Sequence, residues 1–169
     1  MLRRDPLADP APLIKRVYAY AAYRLGDGPD AEDITSETFE RALRYRKSYD
    51  PKKGEPVAWL LGIAKRCIDG SWSKTEYATE DVEFVDTTDL EEETIRRLTV
   101  SGAVAALDER DRELIALRYG ADLTARQIAE LLDARTNAIE VALHRALGRL
   151  RGMLEDDESE PVRKRGASR

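Results

Sequence analysis

Cysteine and histidine are almost missing from this sequence of 169 residues, which has only Cys67 and His144. A lone cysteine cannot form an internal disulfide, and a zinc site would lack its usual second thiol or imidazole. Long apolar runs are missing too, since no stretch approaches the ~18 residues of a membrane span. The first residues, MLRRDPLADPAP, are charged and lack the apolar segment of a secretory signal. We therefore expect a cytoplasmic chain without membrane insertion, disulfide scaffold or zinc site.

The usual marks of a catalytic site are also missing. No nucleophile has an evident base, no glycine-rich loop is suited to phosphates, and no carboxylate pair stands out among the 33 acids. We expect a protein that is not an enzyme and that needs no cofactor or metal.

Charge is distributed unevenly along a chain of formal net charge -5. Residues 1–74 contain 14 basic and 11 acidic residues, and residues 94–154 contain 10 and 8. Between them, TEYATEDVEFVDTTDLEEE has nine acidic residues, no basic residue and no apolar periodicity. This composition is typical of an extended linker, and a block of one sign also suits an interaction segment. The final stretch, EDDESEPVRKRGASR, is polar and is expected to fray.

Every periodic stretch has helical spacing, so the chain is predicted to be all-α. In the first block a helix leads into a Gly-Asp-Gly break, and Pro29 suits the first position of a second helix that runs to about Tyr45. After the turn YDPKKGEP, a third helix carries a wide apolar stripe that includes Trp59 and Cys67. Cys67 is expected to be a small buried hydrophobe.

The second block predicts a helix-turn-helix. Asp108 suits the cap of a short helix that Gly120 ends at the C′ position, and Thr124 with Gln127 fits a capping box. After the turn DART, a longer helix carries a row of apolar residues from Ile139 onward. A helix pair with a short turn is typical of DNA-binding motifs, although packed helices of any small bundle share the pattern.

Four segments then carry a resemblance: DAEDITSETFERAL at 30–43, PVAWLLGIAKRCIDGSW at 56–72, LDERDRELIALRYGADLTARQIAELL at 107–132 and LHRALGRLR at 143–151. In order and spacing they resemble the two conserved regions of extracytoplasmic function (ECF) bacterial sigma factors. The resemblance implies a dissociable subunit that binds core RNA polymerase and directs recognition and melting of promoter DNA. It implies two small helical domains joined by a flexible acidic linker, of which the second contains the helix-turn-helix. The divisions are a region 2-like domain at 1–76, the linker at 77–92, a region 4-like domain at 93–155 and a polar tail at 156–169.

The resemblance implies that the second helix is the main contact with core polymerase. The residues at matching positions are Asp30, Asp33, Ile34, Ser36, Glu37 and Arg41. Carboxylates on an exposed face suit a basic partner, and those in the first turn also stabilise the helix through its dipole. Phe39 and Leu43 are expected in the core.

The first block is expected to open and hold the minus-ten element, because single-stranded bases bind to aromatic platforms beside a basic groove. The residues that could supply both are Lys52, Lys53, Lys65, Arg66, Trp72 and Lys74. Trp59 matches the family's tryptophan position, yet its place on the apolar stripe favours core packing. Arg66 and Gly70 depart from the family's usual residues, so strand capture is expected and its base preference stays open.

The second block is expected to read the minus-thirty-five element. Arg135, Thr136 and Asn137 lie at the start of the recognition helix, where Arg suits guanine and Asn suits adenine. Glu140 stands where the family usually has a basic residue, although a carboxylate can accept a hydrogen bond from cytosine N4. Phosphate contacts are expected from Arg126, Gln127, Arg145 and Arg149.

Two other functions stay open. The altered recognition helix suits a sigma-derived interaction protein that holds polymerase or an anti-sigma partner and reads promoters weakly. A stand-alone helix-turn-helix regulator would bind a palindrome as a dimer. Two small domains on a flexible linker cannot form one rigid reader alone, so we expect an anti-sigma factor that clamps them together.

Overall fold

Helices make up the regular structure of the residues that the computed structural model describes, which are 5–72 and 92–159. The first block contains α1 (Pro10–Leu25), α2 (Pro29–Arg44) and α3 (Pro56–Trp72), with a 3₁₀ turn at Arg46–Ser48. The second contains α4 (Glu92–Ala106), α5 (Glu109–Ile115), a π-helical turn (Ala116–Gly120), α6 (Ala125–Leu132) and α7 (Thr136–Ser159). The prediction of an all-α chain is confirmed. Helix α7 continues four residues into the stretch assigned to the polar tail.

The predicted helix starts are confirmed. Pro29 occupies the first turn of α2, and the Asp108 carboxylate accepts a hydrogen bond of 2.8 Å from the Asp111 N–H at the start of α5. At α6, the Thr124 hydroxyl accepts from the Gln127 N–H while the Gln127 side chain accepts from the Thr124 N–H. These caps satisfy N–H groups that have no partner inside the helix.

The two blocks share one hydrophobic core. Helix α1 contributes Val17 and Tyr20, α3 contributes Leu60, and the second block contributes Leu117 and Ile128. A smaller cluster of Val104, Leu107, Ile115 and Ala146 joins α4, α5 and α7. The two predicted helical domains also contact each other, because α1 packs directly against the second block. The acidic linker itself lies outside the described residues, except for Glu92 at the start of α4.

Cys67 is buried in this core, as predicted. Phe39 is partly buried, but the expectation that Leu43 lies in the core is wrong because its side chain is 60% exposed. The buried row of α2 contains Thr38 and Ala42. Leu43 follows Ala42 directly, and a helix turns by about 100° per residue, so Leu43 leaves the buried face.

Gly120 ends the helical segment where predicted, for a different reason. The left-handed backbone expected of a C′ glycine is found instead at Asp122, where φ is 57°. A Cβ atom on Gly120 would lie 3.0 Å from the carbonyl oxygen of Ala19 in α1. The missing side chain therefore allows the two blocks to approach closely.

Among the helices of the described ranges, none has both the length and the apolar composition needed to cross a membrane.

Candidate nucleic-acid interface

Helix α2 presents an exposed polar face. Asp30, Asp33, Ser36 and Arg41 are exposed, and the Arg41 guanidinium lies 2.5 Å from the Glu37 carboxylate. The face therefore combines carboxylates with one paired cation.

Ile34 does not share this exposed face. Its side chain is 4% exposed and packs in the core, so its match to the family's polymerase-contact motif reflects the buried side of α2.

The turn before α3 presents Lys52 and Lys53 to solvent. Asp50 fixes this turn, since its carboxylate accepts from the Lys52 N–H at 3.0 Å and its carbonyl accepts from the Lys53 N–H at 3.0 Å. The Tyr49 hydroxyl donates to the Gly54 carbonyl at 2.9 Å. The two ammonium groups thus project from a backbone that is already ordered.

Trp59 packs beneath this turn. Its ring centroid lies 5.4 Å from that of Tyr49, and the side chain is partly buried against the core. The core-packing interpretation of Trp59 is confirmed, and the same stacking ties the basic turn to α3.

Lys65 and Arg66 lie farther along α3. Lys65 pairs with Asp69 at 2.9 Å, while Arg66 is exposed. The expectations for the Trp72 side chain and for Lys74 lie outside the described part of the chain.

In the helix-turn-helix, α6 is followed by a sharp turn and then by α7. Asp133 ends α6 in the left-handed conformation, with φ 51° and ψ 49°. Ile139 and Leu143 anchor α7 in the core, and this leaves Arg135, Thr136, Asn137 and Glu140 exposed at or near its start. The geometry brings these four predicted DNA residues together on one free surface.

Three of the residues predicted to contact phosphates have intramolecular partners. Gln127 belongs to the capping box, and Arg126 lies 3.1 Å from Glu130. Arg149 donates two hydrogen bonds to the carboxylate of Asp111, one of them at 2.7 Å, and the hydrogen bonding raises the pKa of Arg149 above its usual value. Arg145 is exposed on the same helix.

A buried polar cluster joins the two blocks and was missed by the sequence analysis. The Tyr20 hydroxyl donates to Glu113 at 2.9 Å, and Arg24 forms an ion pair with the same carboxylate. Burial raises the pKa of Glu113 above its ordinary value, although Arg24 and Tyr20 act in the opposite direction. Burial also raises the pKa of Tyr20, which stays protonated. The available signal was Arg24, a charged residue in the apolar row of α1 that needs a buried partner.

An open cleft of about 500 Å³ also lies between the blocks. Its lining includes Lys52 and Lys53 from the first block and Arg126 and Glu130 from the second. Residues predicted to serve two different promoter elements thus face the same cleft.

A second groove between the blocks has a volume of about 620 Å³. Leu114, Leu132 and Ile139 line its apolar part, and Lys65 and Glu109 line its charged part.

Within residues 5–72 and 92–159, no group of three or more histidine, cysteine, aspartate or glutamate side chains is arranged to hold a metal ion.

Both halves of the chain match known protein families. Residues 12–75 match Sigma-70 region 2, and residues 97–150 match Sigma-70 region 4. Together with the helical fold and the exposed helix-turn-helix, these two regions define a sigma-70-type transcription initiation factor.

Two similar proteins place the chain in one family of these initiation factors. The chain is 31% identical over 151 residues to the ECF RNA polymerase sigma factor SigK of a Mycobacterium species, covering 82% of this chain and 75% of that protein. It is 29% identical over 150 residues to the ECF sigma factor BldN of Streptomyces coelicolor, covering 83% of this chain but only 57% of BldN. The chain belongs to the ECF family of RNA polymerase sigma factors.

Two solved structures share the fold. One is the sigma factor RpoE in complex with the anti-sigma factor NepR from Bartonella quintana, with a TM-score of 0.68 and 20% identity over 86% of this chain and 93% of that one. The other is CnrH in complex with the cytosolic domain of CnrY, with a TM-score of 0.60 and 19% identity over 87% and 82%.

Proposed function

We propose that this chain binds core RNA polymerase and directs promoter recognition and melting, without catalysing a reaction itself. The observation that carries the proposal is the exposed start of α7, held in place by the capped α6, in a chain that also contains a sigma region 2. The proposed divisions are a region 2-like domain at 1–76, an acidic linker at 77–92, a region 4-like domain at 93–155 and a polar tail at 156–169. The chain is proposed to act in the cytoplasm.

The minus-thirty-five element is assigned to the exposed surface of the helix-turn-helix. Arg135 and Asn137 suit guanine and adenine edges in the major groove, and Thr136 and Glu140 lie beside them. Arg145 is assigned to phosphate, whereas Arg126, Gln127 and Arg149 also have the internal contacts described above.

The minus-ten element is assigned to the first block. Lys52 and Lys53 extend from an ordered turn, with Arg66 exposed on α3 beyond it. Cations of this kind hold the phosphates of an opened strand, and Lys65 adds a fourth positive charge that is shared with Asp69. Trp72 and Lys74 are assigned to the same strand from their sequence positions.

Core polymerase is assigned to the exposed face of α2, formed by Asp30, Asp33, Ser36, Glu37 and Arg41. Complementary charge on a partner would orient the encounter and raise its rate. Ile34 supports this face from beneath by packing α2 onto the core.

An anti-sigma factor is the proposed regulatory partner. Both structural neighbours were solved as complexes, RpoE with NepR and CnrH with the domain of CnrY. The 620 Å³ groove, apolar with a charged edge, is a suitable place for such a partner to bind.

In vitro transcription from a fragmented genomic library tests the function. Purified core polymerase is used with and without the chain, and the new transcript starts are sequenced. We expect a shared two-part motif upstream of starts that need the chain. In the wild type, Asn137 should select one base in the upstream part of the motif. Asn137→Ala should weaken use of that part and remove the preference for that base. Binding of a palindrome without polymerase would instead indicate a stand-alone regulator.

A sigma-derived interaction protein is the second candidate, favoured by the exposed Glu140 and Val141 on the recognition helix. Glu140→Lys separates the two functions. If Glu140 reads a cytosine, the change should cost ~1–3 kcal/mol of discrimination at one position. If Glu140 only borders the DNA, promoter binding should strengthen with unchanged sequence preference. No effect on either quantity would remove Glu140 from the DNA interface.

A further inference from the structure

An apolar side chain lies on the outer face of the recognition helix α7. Val141 is 43% exposed, whereas Ile139 and Leu143, two residues away on either side, are buried. Two residues along a helix correspond to a turn of about 200°, so Val141 lies nearly opposite the row that anchors α7 in the core. Valine is a weaker helix former than alanine, and at this position it gains nothing from packing against the core. Its methyl groups can therefore contact a ligand outside the chain.

Polar side chains flank Val141 along the helix. Asn137 lies four residues before it and Arg145 four residues after it, and both are exposed. Residues four apart lie on one face of a helix, so these three side chains form a single row. Arginine suits the phosphates of DNA, and asparagine suits the edge of adenine. The row thus has a base-reading group at one end, a phosphate-binding group at the other and an apolar group between them.

Thymine is the base that offers an apolar partner in the major groove. Its C5 methyl group faces the groove, whereas adenine, guanine and cytosine present hydrogen-bond donors and acceptors there. An aliphatic side chain over a polar base edge displaces water without replacing its hydrogen bonds, which costs free energy. Contact with a methyl group buries apolar surface and carries no such cost. A valine in a base-reading row therefore favours thymine over the other three bases.

We propose that Val141 is a specificity-determining residue that contacts the methyl group of one thymine in the minus-thirty-five element. Ala138, which is exposed three residues before it on the same side of α7, borders this contact. The inference rests on the proposed function, because it names a base that the recognition helix reads.

The position of this thymine follows from the spacing of the row. Four residues of helix rise by ~6 Å, and successive base pairs are ~3.4 Å apart. The thymine should therefore lie within about two base pairs of the adenine assigned to Asn137.

Replacement of thymine by deoxyuridine tests the contact. Deoxyuridine lacks only the methyl group and keeps every hydrogen-bonding group of thymine. A promoter from the transcript map is prepared with the thymines of its upstream part replaced one at a time. Its affinity for the holoenzyme, formed from core polymerase and the full chain, is then measured at one fixed salt concentration. We expect one replacement to weaken binding about fourfold, as for the loss of one buried methyl group.

Val141→Ala identifies the residue that makes the contact. The variant should bind the thymine promoter more weakly and should no longer distinguish thymine from deoxyuridine at the sensitive position. Alanine is the better helix former, so the variant should fold. Val100→Ala is the matched control, because it makes the same change at a valine that is 36% exposed on α4, outside the helix-turn-helix. This control should keep the fourfold effect of deoxyuridine.

An equal effect of deoxyuridine on the wild type and on Val141→Ala would assign the methyl group to another residue and overturn the inference. A holoenzyme that needs the upstream sequence but tolerates every replacement would overturn it as well. In both cases the proposed function would stand. Unchanged binding after the whole upstream part is scrambled would instead overturn promoter reading by α7, and the inference with it.

Discussion

The pKa of the Glu113 carboxyl is shifted in opposite directions by its burial and by its neighbours. Burial raises its pKa from an ordinary value of 4.5, whereas Arg24, the Tyr20 hydroxyl and Lys65 lower it and Asp69 raises it further. The net direction is upward, so the folded chain binds this proton more readily than the unfolded chain does. The free energy of unfolding contributed by Glu113 therefore falls as the pH rises from 4.5 through the folded pKa.

Glu113→Gln removes this titration and should change the pH dependence of stability. We expect the variant to be destabilised most at acidic pH, with a smaller loss as the pH approaches neutrality. Urea unfolding of both chains across this range measures the difference. Glu40→Gln is the control, because its side chain is 71% exposed and pairs with Arg44 rather than with Arg24. A loss that grows with pH would mean that pairing with Arg24 outweighs burial.

Arg149 and Arg145 lie on the same helix in different surroundings. Asp111 is 4% exposed and takes two hydrogen bonds from Arg149, whose side chain is 51% exposed. Arg149→Gln should lower the free energy of unfolding, because it leaves the buried Asp111 carboxylate without these two hydrogen bonds.

Promoter binding separates the two arginines further. Arg145→Gln should reduce the salt dependence of holoenzyme binding by about 0.9 in log–log slope, as expected for one lost phosphate contact. Arg149→Gln should leave that slope unchanged while lowering stability. The reverse pattern would return Arg149 to the DNA interface.

Single residues were predictable where their neighbours along the chain decide their role. Cys67 follows from the stripe of α3, and the Asp108 cap follows from the residues directly after it. The burial of Arg24 depends on Glu113, which is 89 residues away in sequence, and the role of Arg149 depends on Asp111, 38 residues away. Local patterns do not contain such pairings.

At the scale of elements, α6 depends on its cap. The helix has only eight residues, Ala125–Leu132, and Thr124 with Gln127 closes its N-terminus. Isolated helices of this length are unstable in water, so caps and tertiary packing must supply the stability. Correct placement of the recognition helix follows from a well-formed α6.

Thr124→Ala should therefore lower the free energy of unfolding by ~1 kcal/mol. Thr124→Ser keeps the hydroxyl and should retain most of the stability. Chemical unfolding of the three chains compares these values. Equal stability of the alanine and serine variants would show that the capping box contributes nothing measurable.

Element boundaries were largely predictable because they are set by proline, caps and apolar spacing close together in sequence. The π-helical turn at Ala116–Gly120 was not, since the sequence favours one continuous helix over this stretch. Its glycine is explained by the approach of α1, which is a tertiary contact.

At the scale of the whole molecule, the two blocks have separate surfaces and a shared core. The helical fold, the helix-turn-helix and the family were all predictable from motif order and spacing, and the comparisons confirm them. Direct packing of the blocks was not predictable, because a charged stretch between two helical segments indicates only that they are separate in sequence. The described residues therefore form two sigma regions that also pack directly against each other.

Chemical detection of unstacked bases in promoter DNA measures whether the chain melts a promoter. Permanganate oxidises unstacked thymines, and a promoter from the transcript map is treated with core polymerase, the chain, or both. We predict reactive thymines at the minus-ten element only when both are present, with fewer in a Lys52→Ala, Lys53→Ala double variant that still binds polymerase. Binding of the chain to polymerase without any opened thymines would contradict the proposed function. It would mean that the chain binds polymerase but does not direct promoter melting.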